Sequence, residues 1–224
     1  MSTPGRQFLT ALRFCTQLPA AALGGAEPAF PGAAVRYLSV AGAVVGAAGG
    51  IVYWLGTQFW PSSVAVALSM LATSAMARRT GGNASGLPAF VLGVLLKYSL
   101  LMALSAASLP FAVPPNTALG LIMICGHAAS CALIAPLIPS PAATSPGPPS
   151  MADVTFALGT GIAPAALLGI PGLIGAAAAI VARAAYGAWL KRTRSAIVGA
   201  DLYAAQLLSE VCFYLGALAS WAYV

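Results

Sequence analysis

Long apolar runs separated by short breaks rich in proline, glycine and serine set the architecture of this chain. Tyr37 to Trp60 is the first run to reach the roughly 20 residues that carry a helix across a bilayer core. Tyr37, Trp54 and Trp60 stand where interfacial aromatics belong. Pro61-Ser62-Ser63 turns the chain, and Val64 to Ala77 returns as a shorter second span. Thr80 to Ser85 is a glycine-rich break, after which Leu87 to Leu109 forms a third span. Pro110 to Asn116 makes the next turn and Ala118 to Leu137 crosses back. Residues 153 to 190 are too long for one span and are punctuated by Pro164, Pro171 and the glycines from Gly159 to Gly172, which predicts two spans, about 154–170 and 172–190. A last span runs from about Ala196 to Tyr223. Ahead of these, residues 7–22 space Phe8, Leu12, Cys15 and Leu18 on one helical face, the pattern of an interfacial helix. No strand alternation appears, and over lipid-exposed stretches only helices satisfy their own backbone. The expected fold is an all-α, polytopic membrane bundle of seven spans in a single domain, 1–224; six spans result if 153–190 is one kinked helix.

Composition agrees with that reading. Hydrophobic residues make up 60% of the chain and charged residues 6%, whereas a soluble domain carries roughly a quarter. The mean hydropathy is +0.91. Net charge is +6. Arg6, Arg13 and Arg36 precede or open the first span, Arg78-Arg79 follow the second, and Lys191, Arg192 and Arg194 precede the last. By the positive-inside rule these mark cytoplasmic segments, with the N-terminus inside. Topology accounts for the basic charge, so no nucleic-acid partner is expected. Gln7, Arg13 and Gln17 interrupt the opening residues where a cleaved secretory leader needs a compact apolar core, so the mature chain is expected to begin near Met1. Cys15, Cys125, Cys131 and Cys212 form no CxxC pair and lie in or beside apolar runs, which predicts neither a disulfide framework nor a zinc site. Pro139 to Ser150 holds five prolines and no charge and reads as the longest loop. Gly42, Gly46 and Gly50 recur every fourth residue, a stripe along which another helix packs closely.

Candidate chemistry rests on the few ionisable residues within apolar stretches, each costing about 2.5 kcal/mol or more there unless paired or hydrated. Asp201 and Glu210 share the last span, as two acids that could ligate Mg²⁺ or accept protons. Nine residues at 3.6 per turn point them to opposite faces, about 13 Å apart along the axis. The plainer reading leaves Asp201 solvated or beside Arg194 and pairs Glu210 with a basic residue, Lys97 or Arg183. Lys97 could instead contact a substrate phosphate. His127 has no second imidazole and no acid nearby in sequence, which suits an interhelical hydrogen bond as well as catalysis. Arg78-Arg79 with Thr80-Gly81-Gly82-Asn83 could cradle an anion, or serve only as a topology signal and loop.

Several of these residues stand in an order that resembles the cobalamin synthase family, the membrane-bound adenosylcobinamide-GDP ribazoletransferases. The resemblance is carried by FLTALRFCTQLP at 8–19, by Arg36-Tyr37 with Val40 and Gly42, and by GLPAFVLGVLLKY at 86–98. His127 with Ser130 and GADLYAAQLLSEVCFYLG at 199–216 complete it. It implies transfer of α-ribazole or its phosphate to a GDP-activated corrinoid with release of GMP, Mg²⁺ as cofactor, and the bacterial cytoplasmic membrane as location. It also implies corrinoid nucleotide and α-ribazole as substrates, the lipid bilayer as surroundings, and other cobalamin-assembly proteins as possible partners. Carried over residue by residue, it makes His127 and Lys97 catalytic, Arg36, Arg78 and Arg79 phosphate contacts, and Asp201 and Glu210 metal ligands. The chain departs from the family between Gly82 and Gly86, where an acidic cluster is absent, and at Ala200, where the family's aspartate falls one place later, at Asp201. Two other readings therefore stand beside the transferase: a non-catalytic relative serving as a membrane partner or scaffold, and a small transporter built on the broken helices and intramembrane Lys97, His127 and Glu210.

Overall fold

The computed structural model describes residues 4–16, 32–77, 87–107, 114–138, 149–194 and 196–221. Among these residues eight α-helices follow one another: α1 (Pro4–Cys15), α2 (Leu38–Gly56), α3 (Ser62–Met76), α4 (Leu87–Ala106), α5 (Pro115–Leu133), α6 (Met151–Ile162), α7 (Gly169–Thr193) and α8 (Gly199–Trp221). Short 3-10 turns, Gly32–Tyr37, Ala135–Leu137 and Ala163–Leu168, precede α2, follow α5 and follow α6. The protein is an all-α membrane bundle. Among the described residues, four helical runs are long and apolar enough to cross a membrane: Gly32–Gly56, Pro115–Leu137, Met151–Thr193 and Gly199–Trp221. Ser62–Met76 and Phe90–Ala106 are shorter apolar helices.

The 43 residues of Met151–Thr193 would reach about 65 Å if straight, twice the hydrocarbon thickness. The chain reverses instead. Descending along α5, Gly161 packs on Ala128 and Ala132, and the Cys125 thiol donates to the Pro164 carbonyl. Ascending again, Arg183 Nε donates to the Leu133 carbonyl at 3.0 Å and Gly187 meets Leu137. The reversal falls at Gly169, at φ +66°, a left-handed backbone that favours glycine. Two passes were expected here, divided by Pro164, Pro171 and the glycines from Gly159 to Gly172, of which Gly169 is one. Pro164 and Pro171 sit in the first turns of the 3-10 segment and of α7, where a missing N–H breaks no helical bond.

Two apolar clusters mark the ends of the bundle. One gathers Tyr53, Leu104, Leu119, Ala165, Leu168 and Trp221. The other gathers Leu12, Val35, Leu38, Leu137, Ala157 and Leu202. The second is the basic end: it carries α1, Arg36 and the close of α7, whereas the connecting segments of the first end, 57–61 and 163–168, contain no charged residue. The apolar stripe of α1, with Phe8, Leu12 and Cys15, packs into this basic-end core. Leu18 and the rest of 17–22 lie outside the described residues.

Small residues make the tightest seams. A Cβ at Gly46 would stand 2.7 Å from the Met123 carbonyl and from Ile124 Cα, and one at Gly50 would stand 3.1 Å from Gly120 Cα. The Gly42-Gly46-Gly50 stripe is thus the contact of α2 with α5. A second seam joins α7 to α8, where Gly175 faces the Phe213 carbonyl and Gly216 faces Ile174.

Candidate functional site

Among the described residues, the densest polar group in the apolar interior forms where α4, α5 and α8 meet. Lys97 and Glu210 come to the same depth because α4 and α8 run side by side: Phe90 packs on Tyr203 and Gly93 on Leu207. His127 is delivered from α5, whose backbone the Gly42-Gly46 stripe lets approach α2. Lys97 is 6% exposed, and His127 and Glu210 are each 3% exposed.

One carboxylate oxygen organises the group. Glu210 Oε1 lies 2.7 Å from Lys97 Nζ and 2.9 Å from His127 Nδ1, and it accepts a 2.8 Å hydrogen bond from the Tyr214 hydroxyl. His127 Nδ1 also lies 3.2 Å from the Met123 carbonyl. Desolvation of a carboxylate and an ammonium is tolerable only where each meets its opposite and its remaining hydrogen-bonding capacity is used. Glu210 meets its opposite in Lys97, and its Oε1 also faces His127 Nδ1 and accepts from Tyr214. Of the two partners offered for it, Lys97 is the one found; Arg183 turns to a carbonyl.

Beside this group lies a small cavity of about 30 Å³, lined by Lys97, His127 and Glu210 with Cys15, Thr73 and Cys131. That is room for one or two waters, or for a single hydroxyl. Its wall includes Ala77, and Ala77 bridges to Thr16 at the end of α1, so the cavity extends from the buried group toward the basic end. Arg78 and Arg79 follow Ala77 directly in sequence but lie outside the described residues, as does the Thr80–Asn83 loop. All four cysteines are free, and Cys15 and Cys131 both line this cavity.

The remaining expected site residues fall elsewhere. Arg36 pairs with Asp153: Nη2 to Oδ1 is 2.6 Å and Nε donates to Oδ1 at 2.9 Å. Asp153 also closes a capping box with Ser150 at the start of α6. Asp201 is buried rather than solvated; its Oδ2 accepts the Val198 N–H at 3.0 Å and so caps α8, with Arg194 3.9 Å from Oδ1. Asp201 and Glu210 therefore do not converge, as their nine-residue spacing dictates. No group of three or more His, Cys, Asp and Glu among the described residues could hold a metal ion. Mg²⁺ requires an octahedral set of oxygens, and these residues do not fit it: Asp201 is committed to a helix cap, and Glu210 Oε1 to three donors. Asp153 and Tyr214 were not singled out from the sequence. Ser150-x-x-Asp153 carries the spacing of a capping box, and Tyr214, four residues beyond Glu210, shares its helical face.

Residues 7–83 match the family model for cobalamin-5-phosphate synthase. An adenosylcobinamide-GDP ribazoletransferase from Leptothrix cholodnii is 46% identical over 68 residues, which are 30% of this chain and 26% of that protein. The matched stretch thus spans about a quarter of the relative's length. No solved structure matches the chain. Over residues 7–83 the resemblance to the cobalamin synthase family is shown. That stretch holds Arg36, the glycine stripe and Arg78-Arg79, whereas Lys97, His127, Asp201 and Glu210 lie beyond it.

Proposed function

We propose that the chain is a ribazoletransferase of the cobalamin synthase type, acting in the bacterial cytoplasmic membrane with its basic end and N-terminus in the cytoplasm. The family match over residues 7–83 carries this reading. The buried Lys97–Glu210–His127 group beside a hydroxyl-sized cavity supports it. The substrates are α-ribazole or its phosphate and a GDP-activated corrinoid. The ribose hydroxyl oxygen forms a bond to the corrinoid-side phosphorus, the bridging P–O bond breaks, and its electrons leave on GMP. His127 takes the hydroxyl proton at Nε2, while Glu210 on the other side of the ring stabilises the imidazolium that results. Lys97 adds positive charge at the cavity wall, where charge develops on the phosphoryl oxygens. Arg36, at the basic end, supplies a diphosphate contact, and the resemblance gives Arg78 and Arg79 the same role. No step passes through Mg²⁺, for which the described residues offer no donor set.

The test is GMP release by the purified chain in bilayers supplied with the GDP-activated corrinoid and α-ribazole. The wild type is expected to release GMP. His127→Gln should reduce the rate about 10²-fold or more, the usual contribution of a general base. A correctly inserted wild-type chain that releases none would refute the assignment and leave the non-catalytic relative as the reading.

A further inference from the structure

We propose that Tyr214 is a positioning residue for the proposed reaction, holding Glu210 so that His127, the chain's single histidine, is locked as the Nδ1–H tautomer with its Nε2 lone pair available. The tautomer follows from what surrounds Nδ1. Glu210 Oε1 at 2.9 Å and the Met123 carbonyl at 3.2 Å are both acceptors, and a lone pair on Nδ1 would face two others. The hydrogen therefore sits on Nδ1.

Tyr214 completes the constraint. Its hydroxyl has one hydrogen and two neighbours, Glu210 Oε1 at 2.8 Å and His127 Nδ1 at 3.4 Å. Because Nδ1 is already a donor, the tyrosine hydrogen goes to the carboxylate. The ring cannot swing away: Tyr214 is fully buried, its edge packs on Phe213, and it lies flush against Gly126, where a Cβ would stand 2.7 Å from Cε1 and 3.0 Å from the hydroxyl. Gly126 precedes His127, so the segment that presents the imidazole also seats the tyrosine. Lys97 alone would let the carboxylate pivot toward α4. With Tyr214 opposing it, Oε1 stays aimed at the imidazole, the role an orienting carboxylate plays for a catalytic histidine.

The single histidine makes the assignment directly readable. Uniform ¹⁵N-histidine labelling of the full chain in bilayers yields one imidazole, and its couplings to the ring protons identify which nitrogen carries hydrogen. The wild type is expected to show Nδ1–H alone. Tyr214→Phe should give a mixture of tautomers and lower kcat about 10-fold with KM unchanged, while the helical content and thermal midpoint stay close to wild type. An Nε2–H wild type, or a Tyr214→Phe protein with an unaltered tautomer, would overturn the proposal. The wild-type spectrum decides the tautomer even where Tyr214→Phe fails to fold. The proposal rests on the transferase reading only for its kinetic arm. A wild type that shows Nδ1–H but releases no GMP supports the tautomer assignment and refutes the transferase.

Discussion

Replacing Glu210 by Gln strands Lys97 in the bundle. Lys97 is 6% exposed, and its ion pair among the described residues is with Glu210. Removing one member of a buried pair costs about 3–5 kcal/mol, because the other charge is left without compensation. For a chain of this size each kcal/mol moves the thermal midpoint roughly 2–4 °C, so Glu210→Gln should lower it by about 6–20 °C. The reciprocal change, Lys97→Met, leaves Glu210 with His127 and Tyr214, and should cost less, about 1.5–3 kcal/mol for a lost charged hydrogen bond. In the double variant neither charge remains. The structure therefore predicts that Lys97→Met partly rescues Glu210→Gln, with a coupling energy of about 2 kcal/mol, well outside the 0.3–0.5 kcal/mol within which independent sites add. The assay is unfolding in one detergent, followed by helical circular dichroism, for the wild type, both singles and the double. If the two losses simply add, or if Lys97→Met is the more damaging single change, the pairing described here is wrong.

Gly46→Leu should lower stability by about 1–3 kcal/mol or more through overpacking, since a Cβ there already stands 2.7 Å from the Met123 carbonyl and Ile124 Cα; an unchanged midpoint in detergent would remove the stripe as an interface. Asp153→Ala should cost about 2 kcal/mol, a helix cap plus a partly exposed ion pair, and Arg36→Ala about 1 kcal/mol or less; the reverse order in thermal melts would contradict the shared role of Asp153. Mild oxidation with copper phenanthroline should cross-link Cys15 to Cys131, which line the same small cavity, and mass mapping that finds other cysteine pairs instead would show that α1 docks elsewhere. Manganese paramagnetic resonance on the purified chain should reveal no tightly held ion; a bound signal abolished by Asp201→Ala would restore that residue as a metal ligand.

Helices were legible because run length and breaks are global properties of the sequence, and each expected span meets a helix close to its place. The reversal in 151–193 was legible in kind and nearly in position: spans of about 154–170 and 172–190 leave the break at 171, and the chain turns at Gly169. Pro164 and Pro171 are visible stop signals, yet the turn is made by Gly169, whose positive φ leaves no mark beyond the residue's identity. The Lys97–Glu210 pair could be anticipated, since two buried opposite charges need one another. The choice between Lys97 and Arg183 required knowing which helix faces α8. His127 showed no acid nearby in sequence because Glu210 lies 83 residues on (210 − 127), and Asp153, the partner of Arg36, lies 117 residues away. No local pattern reports such contacts. Tyr214 and Asp153 did leave local signals, a four-residue spacing from Glu210 and a capping-box spacing from Ser150.

Carboxylates are the scarce resource in this bundle, and where they went constrains the chemistry. The chain has four acidic residues, and Glu27 falls outside the described residues. Asp153 caps α6 and holds Arg36, Asp201 caps α8, and Glu210 accepts from Lys97, His127 and Tyr214. To ligate Mg²⁺ through Oε1, Glu210 would have to release two nitrogen donors within 2.9 Å and leave Lys97 buried without its counter-charge, at a cost of several kcal/mol. What the geometry gives instead is orientation: Glu210 Oε1 faces His127 Nδ1 at 2.9 Å while it pairs with Lys97 Nζ at 2.7 Å. The ion pair that makes a lysine tolerable inside an apolar bundle is thus also the device that orients the histidine.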